Sequence, residues 1–367
     1  MPAEIDHPAL TVRAISTVGV EVPMTFALGT SRGRLTKAPL LLIDVETAEG
    51  VIGRAYLWSY FPRAMTAIAS ILKEIEERAK GERVAPEALW GKLAERFALI
   101  GVQGVVRMAM AGFDIACWDA LAVAANVPLV RLLGGESRPV PAYNSCGLGL
   151  MAKDALADEA EKLLERGFRA IKLRLGYPTL AEDLEAVHAV KKRIPENVAL
   201  MVDYNQALSL DEALVRGRVL DREKLAWLEE PIRHDDYAGA ALIARELSMP
   251  VQIGENFSLV AGMRTALDAK ACDLVMPDLE RIGGVTGWRR AAALAAERGV
   301  KMSSHLYSET SAHLLAVTPT AHFLEYVDWA DKILQEPLQI VNGEAVIPAR
   351  PGSGIVWNAA AVERYRV

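Results

Sequence analysis

The pattern of apolar and polar positions changes character once along the chain, near Pro128. Before it, two long strand-like runs, Leu10 to Val22 and Pro39 to Leu57, are joined by the basic, Gly-containing stretch FALGTSRGRLTKA, which reads as a mobile loop. Helical patterns follow over roughly Arg63 to Glu82, Ala88 to Phe97 and Val105 to Asn126. In the last, Met108, Ala111, Ile115, Trp118 and Ala122 recur at helical spacing. Strands first and helices second predict an α+β domain over residues 1–128, closed by Pro128 and Gly134-Gly135.

Beyond about Pro139 short β-rich runs alternate with amphipathic stretches. The runs are PVPAYNSC, RAIKLRL, ALMVDYN, LAWLEEP, VQIGEN, DLVMPDL, KMSSHL and HFLEYV. Between them lie Thr179 to Arg193, Asp211 to Leu220, Gly239 to Leu247, Val260 to Ala269 and Gly287 to Arg298, each long enough for a crossover helix. Eight strands in this alternation predict a closed β/α barrel over residues 129–325. An open doubly wound sheet would want a Gly-rich phosphate turn after its first strand, and none is present. The segment 326–367 contains IPARPGSGIVW and no ninth βα unit, so it is expected to return to the first domain.

Composition narrows the classes. A length of 367 residues suits one large barrel plus a smaller domain. With 51% apolar and 24% charged residues the chain reads as globular, neither disordered nor fibrous. A net charge of -6 and the lack of a basic stripe argue against nucleic acid as partner. There is no membrane span, and MPAEIDHPALTVRAISTV lacks the features of a secretory signal, so a cytoplasmic location is expected. Cys117, Cys146 and Cys272, odd in number and without a C-x-x-C, read as buried, inert thiols.

Barrel enzymes carry their chemistry where strands end at the C-terminal face. The closing residues are Lys172 with Arg174, Asp203 with Asn205, Glu229, Glu255, Asp278, His305 and Glu325, a ring of charge for which a packed barrel has no structural use. Asp203, Glu229 and Glu255 end three successive strands and would repel one another unless a hard divalent cation joined them. Three carboxylates with no nearby His or Cys cluster suit Mg2+, or Mn2+, better than zinc. Any one of them alone could be a surface carboxylate capping the next helix; three in consecutive strands argue for a site. Lys172 and Arg174 are two apart and share one face of their strand, and the apolar run AIKLRL speaks against a merely solvated strand end. Asp278 and His305 fall on adjacent strands. A carboxylate on one imidazole nitrogen fixes the tautomer and makes a general base of the other. Glu325 suits a protonated acid that hydrogen-bonds a carboxylate oxygen, a role that asks for a raised pKa. His7, His188, His234, His313 and His322 read as structural.

These residues resemble the enolase superfamily, and within it the mandelate racemase/muconate lactonizing enzyme family, from about residue 15 to the C-terminus. The motifs are KLRLGYP at 172–178, MVDYNQ at 201–206, WLEEP at 227–231, IGEN at 253–256, MPDLERIGGVTGW at 276–288, MSSHL at 302–306 and HFLE at 322–325. The resemblance implies a modified (β/α)7β barrel with an α+β capping domain completed by the C-terminal segment. It implies that Asp203, Glu229 and Glu255 hold the metal, that Asp278 and His305 form one base, and that Lys172 faces the substrate carboxylate. It further implies that Asn205 lies near the substrate's polar groups, that Glu325 is the electrophilic acid, and that the protein forms a homo-oligomer, octameric as relatives commonly are. The chain departs from the pattern at Arg174, where the family's racemases carry a second lysine as the base of the opposite face. Freeing a guanidinium's proton at neutral pH costs roughly 7 kcal/mol, which handicaps two-base racemisation. Gly147 stands where those racemases have a serine. Arg32, Arg34 and Lys37 add charge to the loop over the site and suggest a more polar or more anionic substrate, while Trp58 and Tyr60 offer an aromatic wall, with Tyr60 counted as substrate-binding.

The expected chemistry is abstraction of the α-proton of a small 2-hydroxycarboxylate or sugar acid. In it Mg2+ and Lys172 hold the acid, His305 moves the proton, and Glu325 helps the metal stabilise the enolate. A racemase or epimerase is the first expectation. An acid-sugar dehydratase is the alternative, because one base and a cationic Arg174 suffice to expel a β-hydroxyl. A homologue that binds metal and ligand without turnover is the third reading.

Overall fold

The computed structural model describes residues 8–367. It opens with an antiparallel sheet of β1 (Val12–Thr30), β2 (Gly33–Thr47) and β3 (Ile52–Trp58). The run Pro39 to Leu57 is thus two strands, split by a turn at Ala48 to Gly50 where Thr47 N donates to Val51 O at 2.9 Å. The stretch 26–38 is not a loop either. Leu28, Gly29 and Thr30 pair with Leu35, Arg34 and Gly33, so the first two strands run on past a register shift into a tight hairpin.

On one side of the sheet pack α1 (Pro62–Ala79) and α3 (Gly104–Ala124), and α2 (Pro86–Arg96) packs on these two helices. Pro62 starts the first, where its missing N–H costs nothing, and Met65, Ile68, Leu72 and Ile75 form its buried stripe. The third crosses β3 so closely that a Cβ at Gly53 would stand 1.9 Å from Ala116 O. Only glycine permits that approach.

A short α4 (Leu129–Leu132) leads to the barrel. Its strands are β4 (Val140–Asn144), β5 (Ala170–Arg174), β6 (Ala199–Asp203), β7 (Leu228–Glu229), β8 (Val251–Ile253), β9 (Leu274–Val275), β10 (Lys301–Met302) and β11 (Leu324–Tyr326). All neighbours are parallel, and pairing of β11 with β4 closes the ring. The crossovers are α5 (Lys153–Leu163), α6 (Leu180–Lys191), α7 (Leu210–Leu220), α8 (Tyr237–Glu246), α9 (Leu259–Asp268), α10 (Leu279–Ile282) with α11 (Gly284–Arg298), and α12 (Ser308–Ala316). Capping boxes at Thr179/Glu182 and Ser209/Glu212 fix where α6 and α7 begin, and so how much chain is left at the rim.

The C-terminal segment divides its contacts. Strands β12 (Gln339–Val341) and β13 (Glu344–Val346) form a hairpin whose turn, Asn342-Gly343, has φ of 52° and 77°, and β13 pairs antiparallel with β4. Helix α13 (Ala359–Tyr365) packs on β1, and Val367 N reaches Gly19 O at 3.1 Å.

Candidate active site

Strand alternation on β5 points Lys172 and Arg174 into the barrel mouth and Leu173 toward the helices, with all three buried. Lys172 Nζ lies 2.5 Å from Glu229 Oε1, 2.9 Å from Glu325 Oε1 and 3.2 Å from Asp203 Oδ2, so it faces carboxylates of the chain itself. Glu229 Oε2 accepts from Trp227 Nε1 at 2.8 Å and Gln252 Nε2 at 3.1 Å. Asp203 accepts from the backbone N of Asn205 at 2.8 Å and from its Nδ2 at 3.1 Å. Asn205 was expected near substrate; here its amide nitrogen orients Asp203, and only its Oδ1 is left without a partner.

Asp278 caps α10, its Oδ1 accepting from Glu280 N at 2.9 Å and Arg281 N at 3.2 Å. Its Oδ2 stands 2.5 Å from His305 Nδ1, so the dyad is formed. His305 Nε2 turns to Glu255 Oε2 at 3.2 Å. Arg281 was not anticipated. It lies 3.3 Å from Asp278 Oδ2, donates to Glu255 O at 3.2 Å and stands over the Tyr60 ring at 5.4 Å. Its place three residues after a capping aspartate, where a side chain can reach back to that aspartate, was the available signal. Gln252 was also missed; a polar residue at an inward position of a short apolar strand could have marked it.

Arg174 donates from Nη1 to Gly147 O at 2.6 Å and from Nη2 to Ser145 Oγ at 2.9 Å, which fixes the guanidinium as a cation in the wall. At Gly147 a Cβ would meet Glu159 Oε1 at 2.7 Å, the end of a flexible side chain, so the glycine leaves room for that carboxylate where it stands.

The electrostatics follow from too many acids around too few cations. Burial pushes Glu229 up to about 8, against the pull of Lys172 and helped by Asp203 and Glu325. Burial opposes the charge of Lys172, yet Glu229 and Glu325 raise its pKa well above normal. Burial likewise opposes charge on His305, but Glu325, Asp278 and Glu255 overcome it and raise its pKa. Glu255 is held down to about 2, burial being outweighed by His305 and Arg281. The raised pKa expected of Glu325 is not what the structure gives. Burial alone would raise it, but Lys172 and His305 hold the carboxyl below its usual range, so it is an anion here.

Among the described residues no group of three or more His, Cys, Asp or Glu is gathered closely enough to hold a metal. The expected triad is instead parted, Asp203 and Glu229 by Lys172 and Glu255 by His305. The donor set nevertheless fits a hard divalent cation. Its three members are buried carboxylates from consecutive barrel strands and the loop after the last, and the surplus of negative charge that lifts Glu229 is what such an ion would relieve.

Lys172, Arg174, Asp203, Asn205, Glu255, His305, Glu325 and Tyr60 line one cavity of about 450 Å3, which Glu229 approaches from behind Lys172. Leu28, Leu35, Trp58, Phe61 and Trp329 give it an apolar side, and the β1–β2 hairpin covers it. Of the described histidines only His305 is in the lining; His7 lies outside the described residues. No described helix is long and apolar enough to cross a membrane.

Comparison with known proteins places this geometry. The family model "Mandelate racemase / muconate lactonizing enzyme, N-terminal domain" matches residues 12–134, and "Enolase C-terminal domain-like" matches 155–361. A 3,6-anhydro-alpha-L-galactonate cycloisomerase of Streptomyces coelicolor is 30% identical, over 97% of this chain and 99% of its own. The L-talarate/galactarate dehydratase of Salmonella typhimurium is 31% identical, over 89% and 82%. Among solved structures, an enolase from the alpha proteobacterium BAL199 with bound magnesium has a TM-score of 0.96 at 42% identity, covering 98% of this chain and 100% of its own. One from Bradyrhizobium, complexed with magnesium and mandelic acid, has a TM-score of 0.94 at 38% identity, covering 98% and 99%. The chain belongs to the mandelate racemase/muconate lactonizing enzyme family of the enolase superfamily.

Proposed function

We propose that the protein is a magnesium-dependent acid-sugar dehydratase. It removes the proton α to the carboxylate of a 2-hydroxy sugar acid and expels the β-hydroxyl as water, leaving a 2-keto-3-deoxy acid. The observation that carries this reading is the asymmetry of the cavity: the Asp278–His305 pair stands at one side, and across the barrel Arg174 is pinned by Gly147 and Ser145 as a fixed cation. One base is enough for elimination. The cycloisomerase and dehydratase names of the curated relatives support acid-sugar chemistry over the racemisation first expected.

Asp203, Glu229 and Glu255 would hold the metal. When bound, magnesium supplies the positive charge that offsets the second negative charge gathering on the substrate carboxylate as its α-proton leaves. Lys172 has three acidic partners and can exchange one for the substrate's carboxylate. Glu325, relieved of Lys172 in that exchange and of the charge on His305 when that ring is neutral, is left with its burial, which favours a protonated form able to donate to a carboxylate oxygen, against the N–H of Leu306 at 2.9 Å, which favours the anion. With Glu255 among the residues that would hold the metal, His305 Nε2 would be left facing the cavity with Asp278 behind Nδ1, the tautomer a base requires. The protonated imidazole can afterwards give that proton to the departing hydroxyl. The two electrons of the broken C–H bond become the C2–C3 double bond of an enol, which tautomerises to the ketone.

Racemisation is the second reading, favoured by the Trp58–Tyr60 wall and the mandelic acid in the Bradyrhizobium structure. Incubating a panel of sugar acids and mandelate with enzyme and Mg2+ in D2O separates the two. A 2-keto-3-deoxy product marks the dehydratase; α-deuterium with inversion and no loss of water marks the racemase. His305→Asn is expected to lower dehydration by at least about a thousandfold. Undiminished turnover in that variant would remove His305 as the base.

A further inference from the structure

The hairpin carries three cations, and each is differently employed. Arg32 Nη2 donates to Gln206 O at 2.6 Å and so latches the hairpin tip to the barrel. Lys37 turns to Glu21 at 3.4 Å and is not part of the cavity wall. Arg34 lines the cavity, and among the described residues its guanidinium has no acid or carbonyl partner. The other cations of the wall are all engaged: Lys172 with three carboxylates, Arg174 with Gly147 and Ser145, Arg281 with Asp278 and Glu255, and His305 with Asp278 and Glu255. The acids in the lining, Asp203, Glu255 and Glu325, belong to the barrel, and the hairpin contributes none between Leu28 and Leu35.

In the dehydratase reading the barrel side of this cavity takes one carboxylate, and the hairpin that covers it presents the exposed, unpaired guanidinium of Arg34, whose planar fork matches a second carboxylate. We propose that Arg34 is a specificity-determining residue that receives the distal carboxylate of a dicarboxylic sugar acid, so that an aldarate and not an aldonate is the substrate. This rests on the dehydratase reading, which supplies the first carboxylate. The test compares a six-carbon aldarate with the aldonate of the same configuration, by calorimetric titration and by initial rates with Mg2+, on the wild type, Arg34→Lys and Arg34→Met. The wild type is expected to favour the aldarate at least about tenfold in kcat/KM, through KM. Arg34→Met should cut that preference by about tenfold or more and Arg34→Lys by less, since lysine keeps the charge without the fork. A wild-type preference for the aldonate, an unchanged preference in Arg34→Met, or binding of neither acid overturns the proposal. If the aldarate binds more tightly in an Arg34-dependent way but neither acid exchanges its α-hydrogen in D2O, the anion site stands and the dehydratase reading falls.

Discussion

Arg174 and Lys172 sit two positions apart on β5, yet they have opposite freedoms. Lysine can change partners among three carboxylates, while the arginine is held by a carbonyl and a hydroxyl at 2.6 Å and 2.9 Å. At a given pH roughly a hundredfold more of a lysine than of an arginine is neutral. Arg174→Lys is therefore expected to open the second face of the substrate: α-deuterium should appear with inversion where the wild type exchanges on one face alone, as read by proton NMR in D2O. An unchanged single-face pattern would mean that something other than the arginine limits that side. At this scale the sequence was most informative, because ionisable residues closing apolar strands have few structural uses. It was least informative about partners. That Lys172 parts the acids, or that Glu325 is an anion, depends on distances between strands distant in sequence, which no local pattern encodes.

Among the elements, the hairpin departs furthest from its local reading. Glycine and polar residues at 29–34 look like an unstructured loop, but the pairs Leu28–Leu35 and Thr30–Gly33 continue the ladder, and Leu150 N donates to Gly29 O at 3.0 Å to dock it. Gly29 and Gly149 meet backbone to backbone; a Cβ on Gly149 would come within 2.6 Å of Gly29 N and O. Gly149→Ala is thus expected to lift the hairpin from the cavity and raise KM about tenfold while the melting temperature moves by only a few degrees, because few buried apolar contacts are lost. A large fall in melting temperature with KM unchanged would show the contact to be structural only. The amphipathic crossovers α6 to α9 were legible from their stripes. Helix α12 was not, since it is buried from Ser308 to Leu315 although Ser308, Glu309, Thr310, Ser311 and His313 are polar, so polarity does not mark a solvent face there.

At the scale of the whole molecule, three distant parts of the chain meet at His313. Val130 N donates to its Nδ1 at 3.2 Å, and its Nε2 faces Ser353 O at 3.3 Å, an arrangement that suits only the neutral ring with its proton on Nε2. Burial pushes its pKa down to about 4. Folding then disfavours the proton that the unfolded chain takes up below about 6.5, so stability is undiminished above that pH and is lost as pH falls toward 4, by on the order of 3 kcal/mol. His313→Gln can keep both hydrogen bonds without titrating. Thermal melts at pH 7.5 and 4.5 should show a smaller acid loss in the variant than in the wild type, and equal losses would assign the acid sensitivity elsewhere. The contact between Trp58 and Tyr307 bears on the same unity. Trp58 N donates to the Tyr307 hydroxyl at 3.0 Å, and that hydroxyl donates to buried Glu280, two residues past the aspartate that holds the base. A barrel cut free of its first 124 residues would expose this phenol and carboxylate to water within one helical turn of Asp278, so the base could not be transplanted with the barrel alone.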